Sequence, residues 1–250
     1  MLASARFKMD SAAAKADPEI SIVIPIYNEE AILHAAVVDL RERLSPLGWH
    51  YEIVLAENGS RDRTVAVALE LGEKYAEVRM LSAGEPNYGK ALRLGIQQAR
   101  GSLVLCDEID LCDTDFHQRA VALLRSGQAD MVVGSKLIGG AQDERPLFRH
   151  AASLVYTGML RLLLGFRGTD THGLKGFKRD LLLPVVMTCV VEKDVFASEM
   201  VIRAYRKDLN VVEIPTRVME KRPPSINLMK RVPNVLRSMA KLLWAIRVKG

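Results

Sequence analysis

Cysteine is scarce in this 250-residue chain. The three copies, Cys106, Cys112 and Cys189, form no C-x-x-C pair and sit among apolar residues, which excludes a disulfide framework and a zinc ribbon and points to a reducing compartment. Long apolar runs are missing too. The best stretches, His150 to Leu160 and Leu181 to Val191, fall short of the roughly 18 uncharged residues a membrane span needs, and the second contains Pro184. Aromatic residues make up only 6%, with no stacking platform interleaved among basic groups, so no nucleic-acid partner is expected. Residues 1–19 lack periodicity and the continuous apolar segment of a signal peptide, and are expected to form a disordered tail outside the fold. There is no linker and no internal repeat.

What remains is an ordinary globular balance, 49% hydrophobic and 26% charged, enough for one large domain or two small ones. The formal net charge of +5 is unevenly placed: from Arg217 onward nine Lys and Arg face one acid, while residues 1–216 carry 26 basic and 29 acidic groups. Basic character is therefore local to the end of the chain, where nucleic acid, an anionic membrane surface or an acidic ligand would meet it.

From Ile20 on, apolar β-branched runs alternate with helical periods at intervals of about 25 residues, the rhythm of an α/β fold. Strands are expected at Ile20–Ile26, Tyr51–Ala56, Val78–Ser82, Ser102–Cys106 and Met131–Gly134, with helices near 30–45, 62–75, 89–100 and 115–126. The strands are apolar on both faces, as a parallel sheet covered by helices on both sides requires. Polar clusters follow four of them: Tyr27 to Glu30, Glu57 to Ser60, Gly84 to Lys90 and Asp107 to Asp110. In an open parallel sheet these clusters gather at the carboxyl ends of the strands, where ligands bind. Beyond residue 145 the pattern gives a helix over 147–164, a glycine-rich stretch 165–176, helices near 179–189 and 197–207, a strand Asn210–Ile214 and a basic helix from 228. The expected division is a tail (1–19), one domain (20–227) and an amphipathic C-terminal helix (228–250).

Gly84 to Ala91 follows the G-x-x-x-x-G-K spacing of a phosphate loop but places Ala91 where a hydroxyl would reach Mg²⁺, and Pro86 removes one N–H. This sets aside a nucleoside triphosphatase and leaves Lys90 as either a phosphate-facing side chain or a plain helix start. Glu108-Ile109-Asp110 would point two carboxylates the same way on extended backbone. Such a pair suits a divalent cation screening a diphosphate, or else a merely hydrated acidic loop. Asp113, Asp115 and His117 read as a helix start, where acids collect, rather than as ligands.

Together with Ser21-Ile22-Val23-Ile24-Pro25-Ile26-Tyr27-Asn28-Glu29-Glu30, these residues resemble family 2 glycosyltransferases with the GT-A nucleotide-sugar fold, a Rossmann-like, mostly parallel open sheet. Glu57 to Thr64 is similar to their D-D-G-S-x-D-x-T segment, Asn87 to Lys90 to N-x-G-K/R, and Glu108 to Asp110 to the metal-binding D-x-D. Downstream, Val133 to Lys136, Arg149 with Ser153, Asp170 to Lys178, and Arg222 with Ser225 resemble the branch that makes polyprenyl-phosphate sugars. The chain departs from the pattern at Glu57-Asn58, Glu108, Cys112 and Ala197, where aspartates or a polar ligand are usual; Glu for Asp lengthens the arm by one methylene.

The resemblance implies an inverting transfer of a hexose from a GDP-mannose or UDP-glucose type donor to a polyprenyl monophosphate, with Mg²⁺ or Mn²⁺. Pro25, Tyr27, Glu29, Glu57 and Lys90 would hold the donor, and Glu108 and Asp110 the metal. Arg149, Ser153 and Arg222 would hold the acceptor phosphate, with Asp110, Arg149 and Lys136 as the catalytic set. Arg149 otherwise simply begins an exposed helical turn. Two rivals stand beside this reading: a family 2 enzyme with a soluble carbohydrate acceptor, using Glu192, Asp194 or Glu199 as base, and a nucleotide-sugar-binding protein without turnover.

The helix 147–164 reads as a core helix or as one lying at a bilayer surface. The terminal helix aligns Leu236, Met239, Leu243 and Trp244 with Arg237, Lys241, Arg247 and Lys249, an amphipathic basic pattern suited to anionic lipid; with the resemblance, this leads to the expectation of a peripheral protein on the cytoplasmic membrane face. Each basic group near such a surface adds about 1 kcal/mol. Vesicle binding through residues 228–250 is therefore expected to weaken as salt rises. Equal cosedimentation with neutral and anionic vesicles at low salt would contradict it.

Overall fold

The computed structural model describes residues 17–143, 147–218 and 228–248. In chain order the elements are β1 (Ile20–Ile26), α1 (Leu33–Leu44), β2 (Tyr51–Glu57), α2 (Thr64–Lys74), β3 (Val78–Ser82), α3 (Tyr88–Gln98), β4 (Leu103–Cys106), α4 (Thr114–Arg125) and β5 (Met131–Ser135). There follow β6 (Gln142–Asp143), α5 (Leu147–Leu164), β7 (Lys175–Lys178), α6 (Arg179–Thr188), α7 (Phe196–Arg206), β8 (Val211–Pro215), β9 (Arg217–Val218) and α8 (Leu228–Val248).

Seven strands form one sheet in the order β3-β2-β1-β4-β7-β5-β8, and β6 pairs with β9 apart from it. All pairings in the large sheet are parallel except those of β7, which runs antiparallel to both β4 and β5. The two-residue period of the strands divides the core. Ile20, Ile22, Ile24 and Ile26 pack with α1, α2 and α4 on one face, while Val23 faces the layer of α3, α6, α7 and α8. Helices thus cover both faces, as the apolar strands predicted. Strand order reverses at β1, which has β2 on one side and β4 on the other, so the crevice beyond β1 and β4 is the topological switch point of the sheet.

Three sequence expectations need correction. The sequence pattern of 165–176 announces no strand, yet β7 begins at Lys175 and is threaded between β4 and β5. Its four residues include two lysines and a glycine, so no apolar run announces it. Gly176 packs closely there: a Cβ would lie 2.9 Å from Leu105 Cδ2 and 3.1 Å from Ala120 Cβ. The last long strand is Val211–Pro215, one residue later than the pattern suggested. Finally, Met239 does not belong to an outward stripe: with Leu242, Ala245 and Ile246 it is buried in the main core. Arg203 and Arg206 of α7 donate to the Ala245 and Ile246 carbonyls at 3.1 and 3.0 Å, satisfying acceptors in the last turn of α8. Trp244 stays 51% exposed, as do Leu154, Val155 and Leu162 on α5 at 51%, 62% and 84%. Among the described residues no helix is long and apolar enough to cross a membrane.

The end of the sheet opposite the switch point is held by one buried acid. Glu52, at the start of β2, accepts from Ser21 Oγ (2.6 Å), Arg79 Nε (2.8 Å), and Arg100 N, Nε and Nη2 (2.8, 2.9 and 2.7 Å). Burial raises its pKa, but the hydrogen bonds from Arg79, Ser21 and Arg100 prevail and hold it at about 2. A carboxylate depressed in the folded state contributes stability that is present above its ordinary pKa and is lost as pH falls towards about 2. Glu52→Gln should cost about 3 kcal/mol by urea denaturation at neutral pH, flatten the acid limb of the stability profile, and leave ligand binding at the other end of the sheet unchanged.

Candidate active site

At the switch point two loops are fastened to each other by side chains bonding across to backbone. Asn28 adopts a left-handed conformation (φ 54°), and its N–H donates to Ser60 Oγ at 3.1 Å while its Oδ1 accepts from the Arg61 N–H at 2.8 Å. The Glu29 N–H donates to Thr64 Oγ1 (2.7 Å) and the Glu30 N–H to Asp62 Oδ2 (3.2 Å). In return the Arg63 N–H donates to Glu30 Oε2 (2.9 Å). Tyr27, 40% exposed, stands at the mouth of this interlock, and Pro25 lies half-buried in β1 below it.

A third loop is packed onto the second. Buried Glu57 accepts from the Ser60 N–H with one oxygen and from Ser82 Oγ (2.7 Å) with the other, so its carboxylate shapes the 57–60 turn. Asn58 Oδ1 accepts from the Asn87 N–H. Asn87 in turn caps α3, its Oδ1 accepting from the N–H groups of Lys90 and Lys193, both at 3.1 Å, while its Nδ2 donates to Glu192 Oε2 at 2.9 Å. Gly89 permits this approach, since a Cβ would stand 2.7 Å from both Lys193 N and O. Lys90 Nζ pairs with Glu85 at 2.7 Å in an exposed contact of little net strength.

Beyond β4 the acids lie on a turn rather than on extended backbone, which corrects the reason for expecting Glu108 and Asp110 together. The N–H groups of Leu111 and Cys112 both donate to the Glu108 carbonyl, at 3.0 and 3.1 Å, folding residues 108–112 back on themselves. Glu108 Oε1 accepts from Tyr88 OH at 3.1 Å. Burial, and then the charge of Asp110, raise the Glu108 pKa. Hard carboxylate oxygens that repel one another in this way are the donor set a small divalent cation satisfies, so the residues fit Mg²⁺ or Mn²⁺. Burial pushes the neighbouring Cys106 thiol up to about 12, leaving it inert.

The other wall is built on β5 and the segment before β7. Lys136 Nζ lies 2.8 Å from Asp170 Oδ2, with Asp170 almost wholly buried. Burial raises the Asp170 pKa, yet the Lys136 charge and hydrogen bond keep it below the usual carboxylate value. Glu213 holds this segment by accepting from the Thr169 N–H at 2.7 Å.

The profile of Glycosyl transferase family 2 matches residues 21–183. The chain belongs to this family. It is 31% identical over 205 residues to the low-salt glycan biosynthesis hexosyltransferase Agl6 of Haloferax volcanii, covering 79% of this chain and 47% of that protein. To a dolichyl-phosphate beta-glucosyltransferase of Trichomonas vaginalis it is 30% identical, covering 78% of this chain and 64% of that one. The chain thus spans about half to two thirds of those relatives. In fold it is similar to glucosyl-3-phosphoglycerate synthase of Mycobacterium tuberculosis in complex with UDP, at a TM-score of 0.65 and 22% identity, covering 94% of this chain and 82% of that one. The same enzyme with Mn²⁺ and UDP-glucose gives a TM-score of 0.62 at 22% identity, covering 94% and 81%. The architecture is GT-A.

In this family 2 chain the expected donor-side residues Pro25, Tyr27, Glu29, Glu57 and Lys90 gather on three interlocked loops, and Glu108 and Asp110 share the adjacent turn. Lys136 is tied to Asp170 instead of standing alone. Ser153 lies on α5, one turn after Arg149, whose side chain falls outside the described residues together with those of Asp194 and Arg222. Asp113 caps α4 by accepting from the Phe116 N–H at 3.0 Å, and Asp115 pairs with Arg119 at 2.8 Å, as helix-start acids do. Glu199 is buried, accepting from the Val190 and Val191 N–H groups and from Arg203 Nε at 2.8 Å, so its carboxylate is engaged by three donors. Sequence reasoning missed the contacts of Tyr88 with Glu108 and of Asp170 with Lys136, and the burial of Lys175; all three lie inside quoted motifs, Tyr88 in Asn87 to Lys90 and the others in Asp170 to Lys178, but the motifs do not name their partners.

Gly59 has φ 72°, and a Cβ there would lie 2.6 Å from the Glu85 carbonyl carbon and 2.8 Å from Pro86 N. Gly84 has a similar φ of 76° with open space around it. Both alanine variants incur the left-handed strain of roughly 1–2 kcal/mol, but only Gly59→Ala must also push the third loop away. Gly59→Ala should therefore lose at least about 1 kcal/mol more stability than Gly84→Ala in paired urea melts; equal losses would mean the loops do not pack this closely.

Proposed function

We propose that this chain is an inverting hexosyltransferase that moves a sugar from a nucleotide-sugar to a polyprenyl monophosphate, working peripherally on the cytoplasmic membrane face. The observation that carries the reading is the Glu108–Asp110 turn placed at the switch point beside three interlocked donor-side loops. The relatives named as a hexosyltransferase and a dolichyl-phosphate beta-glucosyltransferase support the sugar and the acceptor class, and the fold neighbour crystallised with Mn²⁺ and UDP-glucose supports the metal and the donor.

Pro25, Tyr27 and Glu29 face the nucleoside, with Glu57 acting through the turn it holds. Lys90 exchanges the Glu85 carboxylate for a donor phosphate. Glu108 and Asp110 would hold Mg²⁺ or Mn²⁺, which when bound would supply positive charge to offset that of the leaving nucleoside diphosphate. A hydroxyl acceptor would need a general base, whereas a monophosphate, with its second pKa near about 6, is already nucleophilic at neutral pH. The engagement of Glu199 by three donors favours the phosphate. Arg149, Ser153, Arg222 and Lys136 supply its contacts, arginine in forked geometry.

Two substitutions test the two halves of the site. Asp110→Asn should abolish divalent-dependent donor binding, read by titration calorimetry with and without Mn²⁺, while the fold persists. Arg149→Ala should lower the specificity constant for polyprenyl phosphate roughly ten- to a hundredfold with donor affinity near wild type, and Arg149→Lys should restore only part. Normal transfer by Arg149→Ala together with a dead Asp194→Asn or Glu192→Gln would establish a hydroxyl acceptor instead.

A further inference from the structure

Asp107 stands immediately before the acidic pair and is 2% exposed. Its own N–H donates to the Val23 carbonyl on β1 at 3.0 Å. Its Oδ1 accepts from the Glu108 N–H at 2.6 Å and its Oδ2 from the Asp113 N–H at 3.1 Å. A single carboxylate therefore ties both ends of the turn bearing Glu108 and Asp110 to the central strand. Placing a third acid here is costly, because it is buried beside two others and needs a compensating partner.

That partner comes from the opposite side. His117 lies on the core face of α4, among Phe116, Ala120, Val121 and Leu124, where helical periodicity calls for an aliphatic side chain. It is 0% exposed, and its Nε2 lies 2.6 Å from Asp107 Oδ2, in close contact rather than aligned as a hydrogen bond. Among the described residues its Nδ1 has no hydrogen-bond partner. A polar ring in an apolar layer, touching one carboxylate, is accounted for by what that carboxylate holds.

We propose that His117 is a positioning residue: acting through Asp107, it fixes the 107–113 turn so that Glu108 and Asp110 are presented together to a divalent cation. This rests on the reading of that pair as the metal site. Loss of partners that orient metal ligands typically weakens metal affinity about ten- to a hundredfold.

The test uses the whole chain and two readouts. The first, in metal-free protein, is amide hydrogen exchange at Glu108 and Asp113; the second is Mn²⁺ affinity by calorimetry in the presence of a nucleotide-sugar. His117→Phe fills the volume without the contact and should speed both amides and weaken Mn²⁺ binding at least about tenfold, while His117→Gln should recover most of each. Leu124→Ala, a core change on the same helix, serves as the stability-matched control and should leave both readouts near wild type. Unchanged exchange in His117→Phe, or an equal loss of Mn²⁺ affinity in Leu124→Ala, would overturn the proposal. If His117→Phe does not fold, His117→Leu stands in for it, since it removes the same contact with a smaller apolar side chain, and is judged by the same outcomes. Asp110→Asn separates the two ideas: intact Mn²⁺ binding in that variant overturns the metal site itself, whereas exchange at Glu108 and Asp113 still decides whether His117 governs the turn.

Discussion

The reciprocal bonding between residues 28–30 and 60–64 is the constraint on which the candidate site depends. Neither loop has a regular ladder of its own, so each satisfies its backbone groups with the other's side chains. The left-handed Asn28 is what makes the exchange geometrically possible, because it turns its N–H towards Ser60 and its side chain towards Arg61. With these two loops joined, Glu57 and Asn58 become a platform for the third, and Asn87 carries the connection on to the segment around Lys193. Backbone preorganised in this way does not have to be ordered when a ligand arrives.

Buried charge is used differently at the two ends of the sheet. At the amino end Glu52 is matched by two arginines and a serine, and its electrostatics are settled. At the carboxyl end burial and then the charge of Asp110 push the carboxyl of Glu108 upward, against the Tyr88 hydrogen bond and the charge of Lys175. Satisfied charge at one end and strained charge at the other is the division of labour expected when stability and ligand binding occupy opposite edges of one fold.

Much of this was legible in the sequence. β1 to β5 announce themselves as apolar β-branched runs, and the polar residues after them locate the site, because a parallel sheet leaves little else at its carboxyl edge. What depends on tertiary partners was not legible. β7 is short, lysine-bearing and antiparallel, so neither run nor alternation marks it. Leu236, Met239, Leu243 and Trp244 read as one apolar stripe on α8, yet Met239 packs inward beside Leu242 while Trp244 faces out, since a helix with apolar residues on several sides does not declare which one meets the core. Lys136 and Glu199 looked like available reactive groups because their partners, Asp170 and the Val190–Val191 backbone, are remote in sequence or belong to the main chain.

The placement of β7 also orders events during synthesis. β1 to β4 hold consecutive places at one side of the sheet and find all their mutual pairings within residues 20–106. β5 emerges next but touches none of them; its neighbours are β7 and β8, made some 40 and 80 residues later. Until Lys178 has left the ribosome, the apolar β5 has two open edges, and β4 has one, which leaves them exposed to mispairing. The nascent chain thus passes through an interval in which half of the sheet is complete while the strand that leads into Lys136 waits unpaired, and that interval is where a chaperone would have most to protect.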